Sequence, residues 1–241
     1  MKKLPILMYH NVCLSKAEQS SLTISVQNLE KQFKYLTENK YITFHFTELA
    51  NLFRIPPKSI ILTFDDVAEN QLIYVIPLLE KYNLKASFFI PFHCIKKTDF
   101  VDDYKDDSSQ KIMSMDQLKK VPSDLVELGY HSYECKKYRL LNIEGIENSF
   151  LKCEEVLKNN NLKVCPAFAC PYEDYPKTKS KNSVLKNFLS ENAMKFGLRR
   201  GNRSDAFPFK DRYKIKRIDI KGTDNLLAFK LKLKFGRFSL F

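Results

Sequence analysis

Blocks of apolar residues recur along the chain at two spacings, and the spacing predicts the elements. Residues 4–10, LPILMYH, form an almost unbroken apolar run, as a strand buried on both faces requires. Leu29, Phe33 and Leu36 then fall three and four apart, predicting a helix over 27–39. A short helix is read at 46–53. The run Ile60-Ile61-Leu62-Thr63-Phe64 predicts a second buried strand, and Leu72, Val75, Ile76 and Leu79 a helix over 69–82, with Pro77 as a point of kinking. LKASFFIP at 84–91 reads as a strand and the charged segment 96–111 as a loop. Helices follow at 114–121 and about 122–128, then a short strand at 129–132. A helix over 143–159 carries Ile146, Phe150, Cys153 and Leu157 on one face, and VCPAFACP at 164–171 is the next strand. A helix at 181–192 precedes strands at 195–200 and 213–220. The tail LLAFKLKLKFGRFSLF alternates apolar and basic residues like an edge strand, and its length also permits a basic helix.

Strands alternating with helices imply βαβ units and a parallel sheet. A closed barrel and an open doubly wound sheet both fit 241 residues, and both gather chemistry at the C-terminal ends of their strands. The length suits one large domain, and no repeat or shift of composition marks a boundary. Lys and Arg outnumber Asp and Glu by 40 to 28, for a formal charge of +12. The basic residues are mostly lysines spread along the chain, without zinc-finger spacing or interleaved stacking aromatics. They read as a solvated surface rather than a nucleic-acid face. MKKLPILMYHNV turns polar too quickly for a signal peptide, and no apolar run approaches the roughly 18 residues of a membrane span, so a cytoplasmic location is expected. Six cysteines without tight pairing are expected to be mostly buried thiols.

Three segments change this picture. Asp65 and Asp66 sit side by side at the predicted tip of the 60–64 strand. Adjacent carboxylates repel; a cation between them relieves the repulsion, one acid binding it and the other remaining free as a base. An ordinary alternative is that one acid caps the next helix. His131 ends the 129–132 strand, with Cys135 four residues on, a spacing that lets both reach one metal if the segment turns helically. His, Cys and Asp together are an acceptable zinc set, and a lone structural His is the bland reading. His93 and His10 also stand at predicted strand ends. Finally, Pro171-Tyr172 follows a strand, where a rigid turn can present a backbone N–H to a developing oxyanion.

Taken in order, Tyr9-His10, Thr63-Phe64-Asp65-Asp66, Ser87-Phe88-Phe89, His131-Ser132 and Pro171-Tyr172 resemble the NodB-type polysaccharide deacetylases, carbohydrate esterase family 4, over about residues 4–220. The resemblance implies a distorted (β/α) barrel of the NodB type, with 1–241 a single domain and 222–241 a basic C-terminal extension. It implies metal-dependent removal of N-acetyl groups from an amino sugar. Asp65 would be the general base, Asp66 and His131 metal ligands, and the Tyr172 N–H an oxyanion donor.

Several departures accompany it. Val67 and Glu173 stand where the family has Gly, and Cys135 replaces the second metal His; a thiolate favours zinc and weakens it as a Lewis acid. If Cys135 is not a ligand, His93 or Glu134 completes the set, or nothing does. The Arg that usually precedes PY is missing, so Arg217 or Arg200 would supply its charge. No His follows His131, which leaves His10, or a Lys or Tyr, as the acid for the leaving amine. The expected substrate is an acetylated glycan or a lipid- or nucleotide-linked precursor, with Lys230, Lys232, Lys234 and Arg237 available to an anionic membrane. The alternative is a catalytically impaired NodB-fold protein that binds glycan or a partner enzyme.

Overall fold

A computed structural model describes residues 2–95, 111–134, 138, 141–171, 175 and 178–236. The chain begins with β1 (Lys2–Leu4), β2 (Ile6–Tyr9), β3 (Asn11–Cys13), β4 (Thr23–Ser25) and α1 (Val26–Glu38), continuing through β5 (Ile42–Thr43), α2 (Phe46–Leu49) and β6 (Ser59–Asp65). A π-helical turn (Gln71–Val75) leads into α3 (Ile76–Tyr82), followed by β7 (Ala86–Pro91), α4 (Phe92–Ile95), α5 (Met115–Lys119) and β8 (Val126–Ser132). The second half holds α6 (Ile143–Asn160), β9 (Ala167–Ala169), α7 (Lys179–Glu191), β10 (Phe196–Arg200), β11 (Asp205–Phe207), β12 (Ile215–Asp219) and α8 (Leu226–Phe235).

The parallel strands run in the order β2-β12-β10-β9-β8-β7-β6, and β6 pairs back onto β2 through Ile6–Ile61 to Tyr9–Phe64. The sheet is therefore a closed barrel of seven described strands, with β5 appended to β6. Closure decides between the two architectures that the strand–helix alternation allowed. It also splits the core in two. Side chains alternate across each strand. Ile6, Ile61, Phe89, Ala167, Ala169, Leu198 and Ile215 belong to one cluster filling the barrel; Leu7, Leu62, Phe64, Phe88, Ile90 and Phe168 belong to another, packed under the helices.

The N-terminal end of the barrel is closed by Phe46 of α2, whose ring lies 5.3 Å from Phe196 and 6.2 Å from Phe89. Glu127 holds α2 there. Its carboxylate accepts from the N–H groups of Phe46 (2.5 Å) and Thr47 (3.2 Å) and the hydroxyls of Thr47 (2.9 Å) and Ser87 (2.7 Å). Donors at a helix N-terminus are the natural partner for a buried carboxylate.

The structure corrects the predicted helix at 122–128. Val126, Leu128 and Tyr130 pack under the helices while Glu127 and His131 are buried on the other face, so 126–132 is one strand read at period two. The helix expected at 69–82 is likewise divided: Gln71–Val75 is wound as a π-turn, and Pro77 stands in the first turn of α3, where its missing N–H costs nothing. The tail is α8, not an edge strand. Phe229 and Leu233 are buried against the rest of the fold, with Phe229 edge-on to Tyr35 of α1. Lys232 is buried too, donating to Asp219 O (2.8 Å) and pairing with Asp224, so it is not free for a membrane surface. Arg237 and most of the 96–111 loop lie outside the described residues. Among the described residues, no helix is long and apolar enough to cross a membrane. Cys13, Cys94, Cys153, Cys165 and Cys170 are all buried.

Candidate active site

Ile61, Thr63 and Asp65 share one face of β6, so the strand's last side chain points into the top of the barrel. Asp65 is 2% exposed there. Arg217 of β12, with no exposed surface, comes from two strands away, past β2, and grips both oxygens, Nη1 to Oδ1 at 2.7 Å and Nη2 to Oδ2 at 2.8 Å. Arg217 Nη1 also reaches Thr63 Oγ1 at 3.2 Å, and the Thr63 hydroxyl donates to Leu7 O at 2.7 Å. Beneath the guanidinium lies the ring of Phe89, 5.6 Å away. Phe89 needs the space over Gly129, where a Cβ would come within 2.7 Å of its ring. Burial pushes the Asp65 carboxyl upward, but the Arg217 charge, His131, the Arg217 hydrogen bonds and His10 outweigh it and hold the group at about 2. Asp65 is thus ionised throughout the neutral range.

Beyond Asp65 the backbone turns through two consecutive left-handed residues, Asp66 at φ 75° and Val67 at φ 44°. The second is the position where the resemblance leads one to expect Gly, the residue for which this conformation is unstrained. Val67 tolerates it as a fully buried side chain, its carbonyl accepting from Met113 N–H at 2.9 Å. The turn leaves Asp66 a quarter exposed at the barrel mouth, its Oδ1 3.6 Å from His131 Nε2. His131 ends the inward face of β8, and its Nδ1 lies 2.9 Å from Ala169 O. A carbonyl only accepts, so Nδ1 carries a proton, and Nε2 is the nitrogen that faces Asp66. A carboxylate oxygen and an imidazole nitrogen side by side are, in the neutral imidazole, donors suited to a divalent ion.

Cys135 and Tyr172 lie outside the described residues. Among those described, no group of three His, Cys, Asp or Glu side chains forms, so neither His93 nor Glu134 joins Asp66 and His131. His93 instead packs its ring 5.5 Å from Tyr133, and Glu134 lies 3.4 Å from Lys152. Of the two arginines considered, Arg217 meets Asp65, while Arg200 stands 4.0 Å from Asp219. His10, at the end of β2, places Nε2 3.9 Å from Asp65 Oδ2.

Gln71 was not foreseen. Its buried amide donates to Asp65 O (2.6 Å) and His10 O (2.8 Å), tying the ends of β6 and β2 together from within the π-turn. Its signal was a polar residue on the apolar stripe of 69–82, four before Val75. Thr63 was noticed only as part of a run.

The sequence profile of the polysaccharide deacetylase family matches residues 54–187, more than half of the chain. The Bacillus subtilis (strain 168) protein YxkH, provisionally assigned to the polysaccharide deacetylases by its name, is 32% identical over 92 residues, 36% of this chain and 32% of YxkH. The poly-beta-1,6-N-acetyl-D-glucosamine N-deacetylase of Escherichia coli (strain K12) is 26% identical over 137 residues, 53% of this chain and 20% of that protein. The matches therefore span a third or less of the length of these curated relatives. Among solved structures, the Streptococcus pyogenes deacetylase PplD superimposes with a TM-score of 0.77 over 98% of this chain and 99% of its own, at 16% identity. At that identity the likeness speaks for the fold. The profile match and the barrel agree: the chain belongs to the polysaccharide deacetylase family.

Proposed function

We propose that the chain is a metal-dependent hydrolase that removes N-acetyl groups from an amino sugar of a glycan or glycan precursor. The observation that carries this reading is the division of labour between the two adjacent acids. Asp65 is buried, ionised and fixed by Arg217, whereas Asp66 is turned out to the mouth beside His131. Asp66 and His131 would hold a divalent ion, zinc if Cys135 completes the set. Such an ion, when bound, polarises the acetamide carbonyl and acidifies water.

The chain's own residues supply the rest. Asp65 accepts the proton of the attacking water as its oxygen bonds to the acetyl carbon. Arg217 keeps that carboxylate oriented; holding it near 2 guarantees its charge but leaves it a weak base. His10, within 4 Å of Asp65, donates a proton to the nitrogen as the C–N bond breaks, releasing acetate and the free amine. The Tyr172 N–H would face the oxyanion. The named activity of the Escherichia coli relative makes a β-1,6-linked N-acetylglucosamine oligomer the first substrate to try.

The test is acetate release by zinc-supplemented protein from a panel of N-acetylated sugars and oligomers, with zinc binding followed separately by calorimetry. Asp65→Asn is expected to lower turnover by about 10²–10⁴ while zinc still binds, and His131→Gln to weaken zinc binding itself. A wild-type protein that binds zinc yet releases no acetate from any member of the panel would replace this reading with that of an impaired, glycan-binding NodB-fold protein.

A further inference from the structure

Outside the barrel, behind the wall that carries Arg217, lies a second concentration of chemistry. Arg199 of β10 and Lys216 of β12 are register partners on adjacent strands. Lys216 precedes the inward-facing Arg217 and so points the other way, to the outside. There the two line an open cavity of about 710 Å³, together with Lys186 of α7 and the β11–β12 segment with Phe209, Lys210 and Lys214. The volume is in the range of small-molecule sites.

The charge in this cavity is not balanced. Two carboxylates line it, and each is committed: Asp205 takes Lys216 (Nζ to Oδ1, 2.5 Å) and Asp211 takes Lys186. Arg199, Lys210 and Lys214 have no carboxylate partner among the described residues. Arg199 Nη1 donates to Arg200 O at 3.2 Å, but its Nε–H is buried with no acceptor there. Lys214 is pushed down by burial and by Arg199, Lys186 and Lys216, so neighbouring cations oppose its charge. A buried donor without an acceptor and cations held against each other are both relieved by an anion. Phe209, half-buried against Phe196 and Phe207, lends the cavity an apolar side next to those cations.

We propose that this cavity is a binding site for a small phosphoester anion of two or more charges, separate from the Asp65 centre. Arg199 and Lys214 supply its charge-assisted hydrogen bonds, and Phe209 meets the organic part of the ligand. The site stands independently of the proposed hydrolysis.

The experiment is calorimetric titration of the full chain, in phosphate-free buffer, with inorganic pyrophosphate and then with uridine diphosphate. Saturable binding at one site is expected, weakened about tenfold or more by Lys214→Gln and by Arg199→Gln, and unchanged by the exposed distant variant Lys34→Gln. Lys210→Gln serves as a second probe should either partly buried variant fold poorly, which thermal melting will show. Tighter binding of uridine diphosphate that Phe209→Ala abolishes supports the phosphoester; equal affinities for the two probes overturn the phosphoester and the role of Phe209, leaving an inorganic-anion site. No saturable binding of either probe, or binding insensitive to the cavity variants but lost in Asp65→Asn, overturns the proposal.

Discussion

Replacing Arg217 by Met tests the electrostatic arrangement at its root. In the wild type, Asp65 is depressed from 3.8 to about 2. A shift of that size corresponds to roughly 2–3 kcal/mol of stability. Its sign follows from the direction: the folded-state value lies below the unfolded one, so this stability is complete above about pH 4 and is lost as pH falls through about 2. Met fills similar space but leaves a carboxylate buried at 2% exposure without its cation. Burial, the largest influence on Asp65, is then opposed only by His131 and His10, and the group rises from its depressed value. The expected loss at neutral pH is about 3–5 kcal/mol, the usual cost of orphaning one partner of a buried pair. The difference between the two proteins must shrink as pH falls through the carboxylate range, because a protonated Asp65 no longer misses the guanidinium. Urea denaturation of both proteins at steps between about pH 3 and pH 8 measures this directly. Arg217→Lys should fall between them, since one ammonium cannot bridge both oxygens as the guanidinium fork does. An Arg217→Met protein within about 1 kcal/mol of wild type at neutral pH, with a difference that does not vary with pH, would refute the reasoning.

Other consequences are simpler to read. Glu127→Gln keeps the shape but turns two donors toward the N–H and hydroxyl groups that Glu127 now receives; a loss of about 2–4 kcal/mol in urea denaturation is expected, and an unchanged midpoint would mean α2 is held by its apolar contacts alone. Lys232→Met removes the donor to Asp219 O and the partner of Asp224 and is expected to destabilise by about 2–4 kcal/mol without altering sedimentation with anionic vesicles; weaker vesicle binding at undiminished stability would restore Lys232 to the surface. Gly129→Ala drives a Cβ into the Phe89 ring under Arg217, so melting should drop by several degrees, equivalent to about 1–3 kcal/mol of overpacking; unchanged melting would show that the ring can yield.

The sequence by itself determined a great deal of this protein. Runs such as Ile60–Phe64 and Ala86–Ile90 are apolar on both faces because closure buries both, so the strands were legible, as were α1 and α6 from their three-and-four spacing. Asp65, Asp66 and His131 were legible because ionisable groups at the ends of such runs conflict with local burial. Residues 126–128 were not, because Glu127 breaks an apolar count that ignores parity; its burial makes sense only once α2's N-terminus is brought against it. Gln71 looked like an interruption of a helix until the π-turn carried its amide to two carbonyls. The partners of Asp65 could be settled only by the fold. Arg217 and Arg200 are equivalent as residue types, 152 and 135 positions beyond it. Arg217 takes the pair because its place in the register of β12 points it into the barrel. The same alternation turns Lys216 outward to the basic cavity. Periodicity is a local property of a chain, whereas the meeting of an acid and a base from two strands that flank a third depends on closure and register, which only the tertiary structure decides.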